Sequence, residues 1–457
     1  MTNDTLFVPR PYQVEATQFA IQHGRVILGD VMGLGKTGQA LLAREYFKPR
    51  TTLVIAGRNA QLVWKRQPAR WGLNAPTRIR GTPEKRRQLW AGDLSYVTCT
   101  IETLRRDFAL VPKVWDLIIV DEAHKLANRK AGNYKALKAL RSRWMLLLTG
   151  SPFRKAIWNI WALLNILDPR TWSSYWSFIN RFCHVQRGVF GMEIIGIKDM
   201  KGLRLALSNY LIRRSKKQVR PDMPPKRRDY WDVELTSTQA KLYNKLVEDM
   251  ILEVDSIDGA SIIASPSIMV NQLRLRQLLV TPKLLDPSFE DGAAIDELVE
   301  RLAETNDHHM VIFTPFKEAI PFIEARLRSE GYNAIIKLHG GISLNQLEKR
   351  LAEFTSTQGI AICTIKFAES FDLVPATWAV FLGYEWVPDD NFQAEDRLHR
   401  GEITDPIDIW YIRHSGTVDE DQLKVLNERV KMVNDVFGRK DEYLKLLRDR
   451  LVPQNSS

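Results

Sequence analysis

Gly29-Asp30-Val31-Met32-Gly33-Leu34-Gly35-Lys36-Thr37-Gly38-Gln39-Ala40 ends like a nucleotide-binding loop but does not begin like one. The strict pattern, G-x-x-x-x-G-K-[ST], asks for glycine where this chain has Asp30. The context is nevertheless that of a phosphate loop, because the apolar run Arg25–Gly29 leads in and the helical pattern Gly38–Tyr46 leads out. In such a loop, backbone N–H groups at the mouth of a helix surround phosphates. Gly33 and Gly35 would supply the tight turn, Lys36 the charge for the β/γ-phosphates, and Thr37 a magnesium ligand. The competing reading is an ordinary glycine-rich strand-to-helix turn.

Three further stretches bear on that choice. Asp116-Leu-Ile-Ile-Val-Asp121-Glu122-Ala123-His124 lies ~85 residues downstream, and its four apolar residues deliver two carboxylates to the end of a buried strand. One carboxylate could hold Mg²⁺ and the next could orient or deprotonate an attacking water. A third apolar run ends in Leu148-Thr149-Gly150-Ser151-Pro152, whose hydroxyls could sense the γ-phosphate or simply form a turn before proline. Near the far end, Gln393-Ala-Glu-Asp-Arg397-Leu-His-Arg400-Gly401 spaces Arg397 and Arg400 three apart, which on a helix puts both on one face. Aimed at a phosphoryl group, such arginines are worth roughly 10³–10⁵ in rate. Alone, they would read as a solvated helix face.

At 457 residues the chain is too long for one core, so roughly two to three domains are expected. Strand candidates Arg25–Gly29, Thr52–Ala56, Tyr96–Ile101, Leu117–Val120 and Met145–Leu148 alternate with helical patterns, which implies parallel βαβ units. A second such series comprises Met310–Thr314, Ala334–Leu338, Ile360–Thr364, Trp378–Phe381 and Ile407–Tyr411. The expected fold class is α/β, with two parallel-sheet lobes carrying helical insertions. The lobes are assigned to residues 1–222, with a helical protrusion at about 155–210, and 223–457, with a helical insertion at about 235–290. Val418–Leu451 reads as a helical brace. Between the lobes, Arg213–Arg228 holds eight basic residues, one acid and three prolines, and reads as an extended crossing segment.

The net charge of +11 suits an anionic polymer such as nucleic acid, and simple solubility would account for it as well. Cys99, Cys183 and Cys363 form no CxxC pair, which argues against a zinc site or a disulfide framework. No apolar run approaches the ~20 residues of a membrane helix, and Met1–Asp4 opens no signal peptide. The expectation is a protein away from membranes, in the cytoplasm or at the nucleoid, or in the host cytoplasm if viral.

In their order along the chain, these motifs resemble the Swi/Snf-type DNA translocases of helicase superfamily two, in a DEAH-box variant. The resemblance runs from about Arg10 to Glu428. That family's loop reads DEMGLGKT, so Asp30 stands where the family carries its own aspartate and Val31 where it carries glutamate. Gln13 in Arg10-Pro11-Tyr12-Gln13 falls at the adenine-reading glutamine, and Trp64 at a tryptophan that follows the second strand. Thr98–Asp107, Ile160–Arg170, Leu211–Val219, Pro224–Lys226, Leu273–Leu285, Val311–Phe316 and Leu338–Ser343 resemble further family segments. Two departures stand out: Thr364–Leu373 lacks most glycines of a stretch that couples DNA to ATP, and the tail of the arginine motif is shortened to Arg400-Gly401-Glu402.

The resemblance implies two RecA-like lobes with ATP and Mg²⁺ bound between them, Lys36, Thr37, Asp121 and Glu122 on one side and Arg397 and Arg400 on the other. It implies a DNA-stimulated ATPase that tracks duplex DNA through sequence-blind phosphate contacts. The basic segments Arg78–Arg87 and Arg213–Arg228 are candidate contributors to those contacts. The chain reads as a compact monomeric motor, with targeting left to the core or to a protein partner. Two other activities stay open on the same residues: a helicase that separates, anneals or branch-migrates strands, and an ATP-binding nucleic-acid scaffold with weak turnover.

Overall fold

The structure is a computed structural model describing residues 7–153, 157–188, 191–256, 266–305, 309–374, 376–401, 403–420 and 422. It divides between Asp222 and Met223 into two compact units, each built on its own parallel sheet. The brace assigned to Val418–Leu451 falls almost entirely outside the described residues.

In the first unit the strands are β1 (Arg25–Leu28), β2 (Thr52–Ile55), β3 (Thr77–Arg78), β4 (Tyr96–Cys99), β5 (Val114–Val120) and β6 (Arg141–Leu148). A two-stranded antiparallel hairpin, β7 (Cys183–Gly188) and β8 (Gly191–Ile197), follows, then the short β9 (Leu211–Ile212). The main sheet has the order β3-β4-β2-β5-β6-β1-β9, and every pairing in it is parallel. Its central strands are buried on both faces, as a parallel sheet covered by helices requires. Alternate residues feed two cores. Ile27, Leu53, Ile118 and Leu147 pack with the helices of the protrusion, while Val26, Val54, Ile119 and Leu148 pack with Ala16, Leu41 and Trp64.

The protrusion carries helices Ile160–Leu167, Tyr175–Phe182 and Met200–Leu207 but is not purely helical. The β7–β8 hairpin corrects that expectation. Val185, Ile194 and Ile197 pack against the first core while His184 and Gln186 face water, an alternation too short to stand out in an aromatic-rich stretch.

In the second unit β10 (Lys226–Val233), β11 (Met310–Thr314), β12 (Ile335–Leu338), β13 (Ile360–Thr364), β14 (Trp378–Phe381) and β15 (Ile407–His414) form an all-parallel sheet, order β10-β15-β14-β11-β13-β12. It too is covered on both faces, around Val311, Phe313 and Phe381 on one side and Met310, Ile312 and Val380 on the other. Helices Ser237–Ser256 and Pro266–Val280 pack on each other through Tyr243, Leu275 and Leu279. The extended reading of Arg213–Arg228 needs revision at Lys216–Val219, which makes a short helix, while its end from Lys226 is extended as the start of β10. All three cysteines are buried and unpaired.

Candidate functional site

Because the first sheet is parallel, the carboxyl ends of β1, β5 and β6 open on one edge, with β6 between the other two. The glycine-rich loop leaves β1, the two carboxylates leave β5, and Thr149-Gly150-Ser151 leave β6. The loop turns through Gly33 and Gly35, with φ of 85° and 73°, a region that only glycine enters freely. Gly35 caps helix Lys36–Phe47 without any side-chain cap, so the first-turn N–H groups lack the partner that Ser or Asp would supply. Lys36 and Thr37 are half-buried at this mouth, and Lys36 Nζ donates 2.8 Å to the Asp30 carbonyl. A glycine-lined turn at a helix mouth and one lysine fit a phosphate chain.

Gln13 is drawn onto this loop by helix Pro11–His23, an element that the hydrophobic pattern does not announce. Its buried face sets Gln13 and Thr17 among Tyr12, Ala16 and Ala20, so the apolar stripe is interrupted. Gln13 Oε1 accepts from Arg10 N at 3.0 Å and its Nε2 approaches the Leu34 carbonyl at 3.4 Å. A Cβ on Gly35 would sit 2.3 Å from Gln13 Nε2.

At the end of β5, Asp121 Oδ2 accepts from the indole N–H of the fully buried Trp64 at 3.0 Å. Its Oδ1 accepts from Glu122 N at 3.0 Å. Burial raises the Asp121 pKa, and the adjacent Glu122 charge adds to that. Burial would raise Glu122 too, but His124 and the Lys36 and Lys125 charges together outweigh it and hold Glu122 low. The two carboxylates therefore differ in proton affinity, with Glu122 the more acidic. Glu122 also adopts a left-handed backbone, φ 51° and ψ 48°, uncommon for a residue with a side chain. His124 Nδ1 lies 3.2 Å from Glu122 Oε2 and 3.1 Å from Thr149 Oγ1, so one buried ring nitrogen joins the ends of β5 and β6. Each Asp121 oxygen keeps a lone pair beyond the bond it accepts, and with the Thr37 hydroxyl this donor set fits a hard divalent cation.

In the second unit the arginine motif departs from the expected helix face. The helix Pro388–Glu395 stops before Arg397, and residues 396–398 form a turn. Glu395 is fully buried, and Lys226, Arg228 and Tyr411 converge on it at 3.1, 2.7 and 2.7 Å. Lys226 also holds Asp396 at 2.6 Å, and His399 Nε2 is 2.7 Å from the Pro224 carbonyl. Arg397 is buried within the turn, and Arg400 pairs with Asp372 at 2.7 Å. The stretch that lacks most of the family's glycines forms a 3-10 helix, Ile365–Ser370.

Of the two basic segments, Arg213–Arg228 spends much of its charge internally. Arg214 pairs with Asp30, Arg220 with Asp222, Arg227 with Asp408, and Lys226 and Arg228 with Glu395. This counts against it as a free DNA-contacting surface. In Arg78–Arg87, Arg86 is bound to Asp107 at 2.7 Å, while Arg80, Lys85 and Arg87 face water.

A model of the SNF2-related domain matches residues 12–284, and one of the helicase conserved C-terminal domain matches residues 293–402. The chain belongs to the SNF2-related family. Among its relatives in that family, a CHD3-type chromatin-remodeling factor of Arabidopsis thaliana is 25% identical over 94% of this chain and 37% of its own length. An ISWI chromatin-remodeling complex ATPase of Saccharomyces cerevisiae is 25% identical over 95% of this chain and 41% of its own. This SNF2-related chain thus spans about two fifths of those two proteins. An uncharacterized ATP-dependent helicase of Bacillus subtilis is 23% identical over 96% of this chain and 81% of its own length. The solved SWI2/SNF2 ATPase core of Sulfolobus solfataricus in complex with dsDNA is 24% identical, covers 97% of each chain, and superposes with a TM-score of 0.45.

The motifs of this SNF2-related chain do not reveal the partners that hold them: Trp64 on Asp121, His124 and Thr149 on each other, Arg214 on Asp30, Lys226 and Arg228 on Glu395. The one visible signal is an isolated charge in apolar company, Asp30 after β1.

Proposed function

We propose that this chain is an ATP-driven motor acting on duplex DNA, a DNA-stimulated ATPase of the SNF2 type. The observation that carries the reading is the convergence of Lys36, the Asp121–Glu122 pair and Thr149 at the ends of neighbouring strands in one sheet. Lys36 would exchange the Asp30 carbonyl for the β/γ-phosphates, and Gln13 would read the base. Glu122, kept low in pKa beside His124, would orient the attacking water. Asp121 and Thr37 would hold magnesium, which when bound neutralises charge on the phosphate oxygens. The second unit would contribute Arg397 and Arg400 to stabilise the transferred phosphoryl group. Nucleic acid as the partner is supported by the net charge and by family membership. A monomer acting at the nucleoid or in the cytoplasm, targeted by a protein partner, accords with this reading.

ATP hydrolysis with and without duplex DNA, in the wild type and in Lys36→Ala, tests the proposal. We expect DNA to stimulate turnover and Lys36→Ala to abolish it; turnover indifferent to both ends the reading. The likeness to the Bacillus subtilis protein named an ATP-dependent helicase favours strand separation, annealing or branch migration as a second reading. Displacement of a labelled strand from a forked duplex would support it. The 3-10 helix in place of a glycine-rich stretch favours the ATP-binding scaffold, which ATP binding without turnover on any polymer would reveal.

A further inference from the structure

Asp30 has no exposed surface, and four N–H donors surround its carboxylate: Gln39 Nε2 at 2.9 Å, and Arg214 N, Nε and Nη2 at 3.0, 3.1 and 2.6 Å. Both carboxylate oxygens act as acceptors, each from two donors. Its main-chain carbonyl is the one that receives Lys36 Nζ. Next along the loop, Val31 N donates to the Arg214 carbonyl at 3.1 Å. The guanidinium continues past Asp30 and donates from Nη1 to Glu15 at 2.9 Å. Glu15 sits on helix Pro11–His23, the helix that lays Gln13 against Leu34 and Gly35. One arginine therefore grips the first residue of the loop and the helix that packs on its far side.

We propose that Arg214 is a positioning residue for the phosphate loop, fixing Asp30 and the Gln13 helix so that Lys36 and the loop N–H groups are preset for a phosphate chain. This rests on the reading of the loop as an ATP site. A planar fork with fixed donors meets Asp30 and Glu15 together, and the single ammonium of lysine does not. Arg214 touches no phosphate in this scheme. Its loss affects how well ATP is held more than how fast bound ATP reacts.

The test uses the full chain, a methylanthraniloyl-labelled ATP as binding probe, steady-state ATPase kinetics on duplex DNA, and hydrogen exchange over residues 29–37. For Arg214→Lys we expect the probe Kd and the KM for ATP to rise about tenfold, with kcat within about threefold. Exchange over 31–37 should quicken while Tyr96–Cys99 stays unchanged. An Arg214→Lys variant that melts like the wild type and keeps both its Kd and its loop exchange overturns the proposal. So does an equal fall in kcat with KM unchanged. Should that variant not fold, Glu15→Gln decides. Glu15 is largely exposed, and its substitution is expected to raise Kd about threefold; an unchanged Kd overturns the proposal. Failure of the wild type to bind the probe would refute the ATP reading alone. Loop exchange would still decide the clamp, faster in Arg214→Lys supporting it and equal exchange overturning it.

Discussion

Trp64 shows how a core residue can orient a carboxylate proposed to hold magnesium. Its ring fills a core behind the sheet, and its single N–H ends on Asp121 Oδ2. Trp64→Phe keeps most of the ring and removes the donor. A hydrogen bond to a charged group is worth about 1.5–3 kcal/mol, so a stability loss of that order is expected in urea unfolding. Orienting partners of a metal-binding carboxylate typically tune metal affinity about 10–100-fold. We therefore expect the Mg²⁺ concentration for half-maximal ATPase to rise by that factor, read from a magnesium titration at saturating ATP. An unchanged titration would make Trp64 a packing residue only. The motif spells out Asp121 and Glu122 but not Trp64 beside them, because the pair meets through the fold across 57 positions of sequence.

Among the elements, β10, β15 and the helix Pro388–Glu395 are locked by one carboxylate. Burial would raise the Glu395 pKa, but the Arg228 and Lys226 charges and the bonds from Arg228 and Tyr411 outweigh it and lower it. A carboxylate depressed on folding stabilises the fold fully above its unfolded value, about 4.3, and loses that contribution as pH falls through its folded value. Glu395→Gln keeps the shape and removes the buried charge that Arg228 and Lys226 face, which costs about 3–5 kcal/mol at neutral pH. Urea titrations should show the gap between wild type and variant narrowing as pH drops below about 4.3. A constant gap would mean that Glu395 acts by packing alone. Just beyond this lock the three-residue spacing of Arg397 and Arg400 misleads. Spacing predicts a shared face only while the helix continues, and here the main chain tightens to i→i−3 bonds from Arg397 and Leu398.

Across the whole molecule, the excess of positive charge is a poor guide to where a polyanion lies until the paired residues are subtracted. Arg213–Arg228 anchors at Asp30 in the first unit and at Glu395 in the second, so one run of chain holds the phosphate loop at one end and the arginine turn at the other. Arg80, Lys85 and Arg87 remain exposed on the first unit. Replacing all three by Gln should weaken duplex binding and flatten its salt dependence, by about 0.9 in log–log slope for each phosphate no longer neutralised. An unaltered slope would place the binding face elsewhere. The alternation of strands and helices, the two parallel sheets and the loop GLGKT are legible in the amino-acid order, because hydrophobic period and turn chemistry act over neighbouring residues. The short β9, the β7–β8 hairpin and the helix Pro11–His23 are not, since their local pattern is brief or broken by buried polar groups. The role of Asp30 emerges only from the folded chain. A buried carboxylate needs a cation, and the one it finds, Arg214, is 184 positions away, where no local rule reaches.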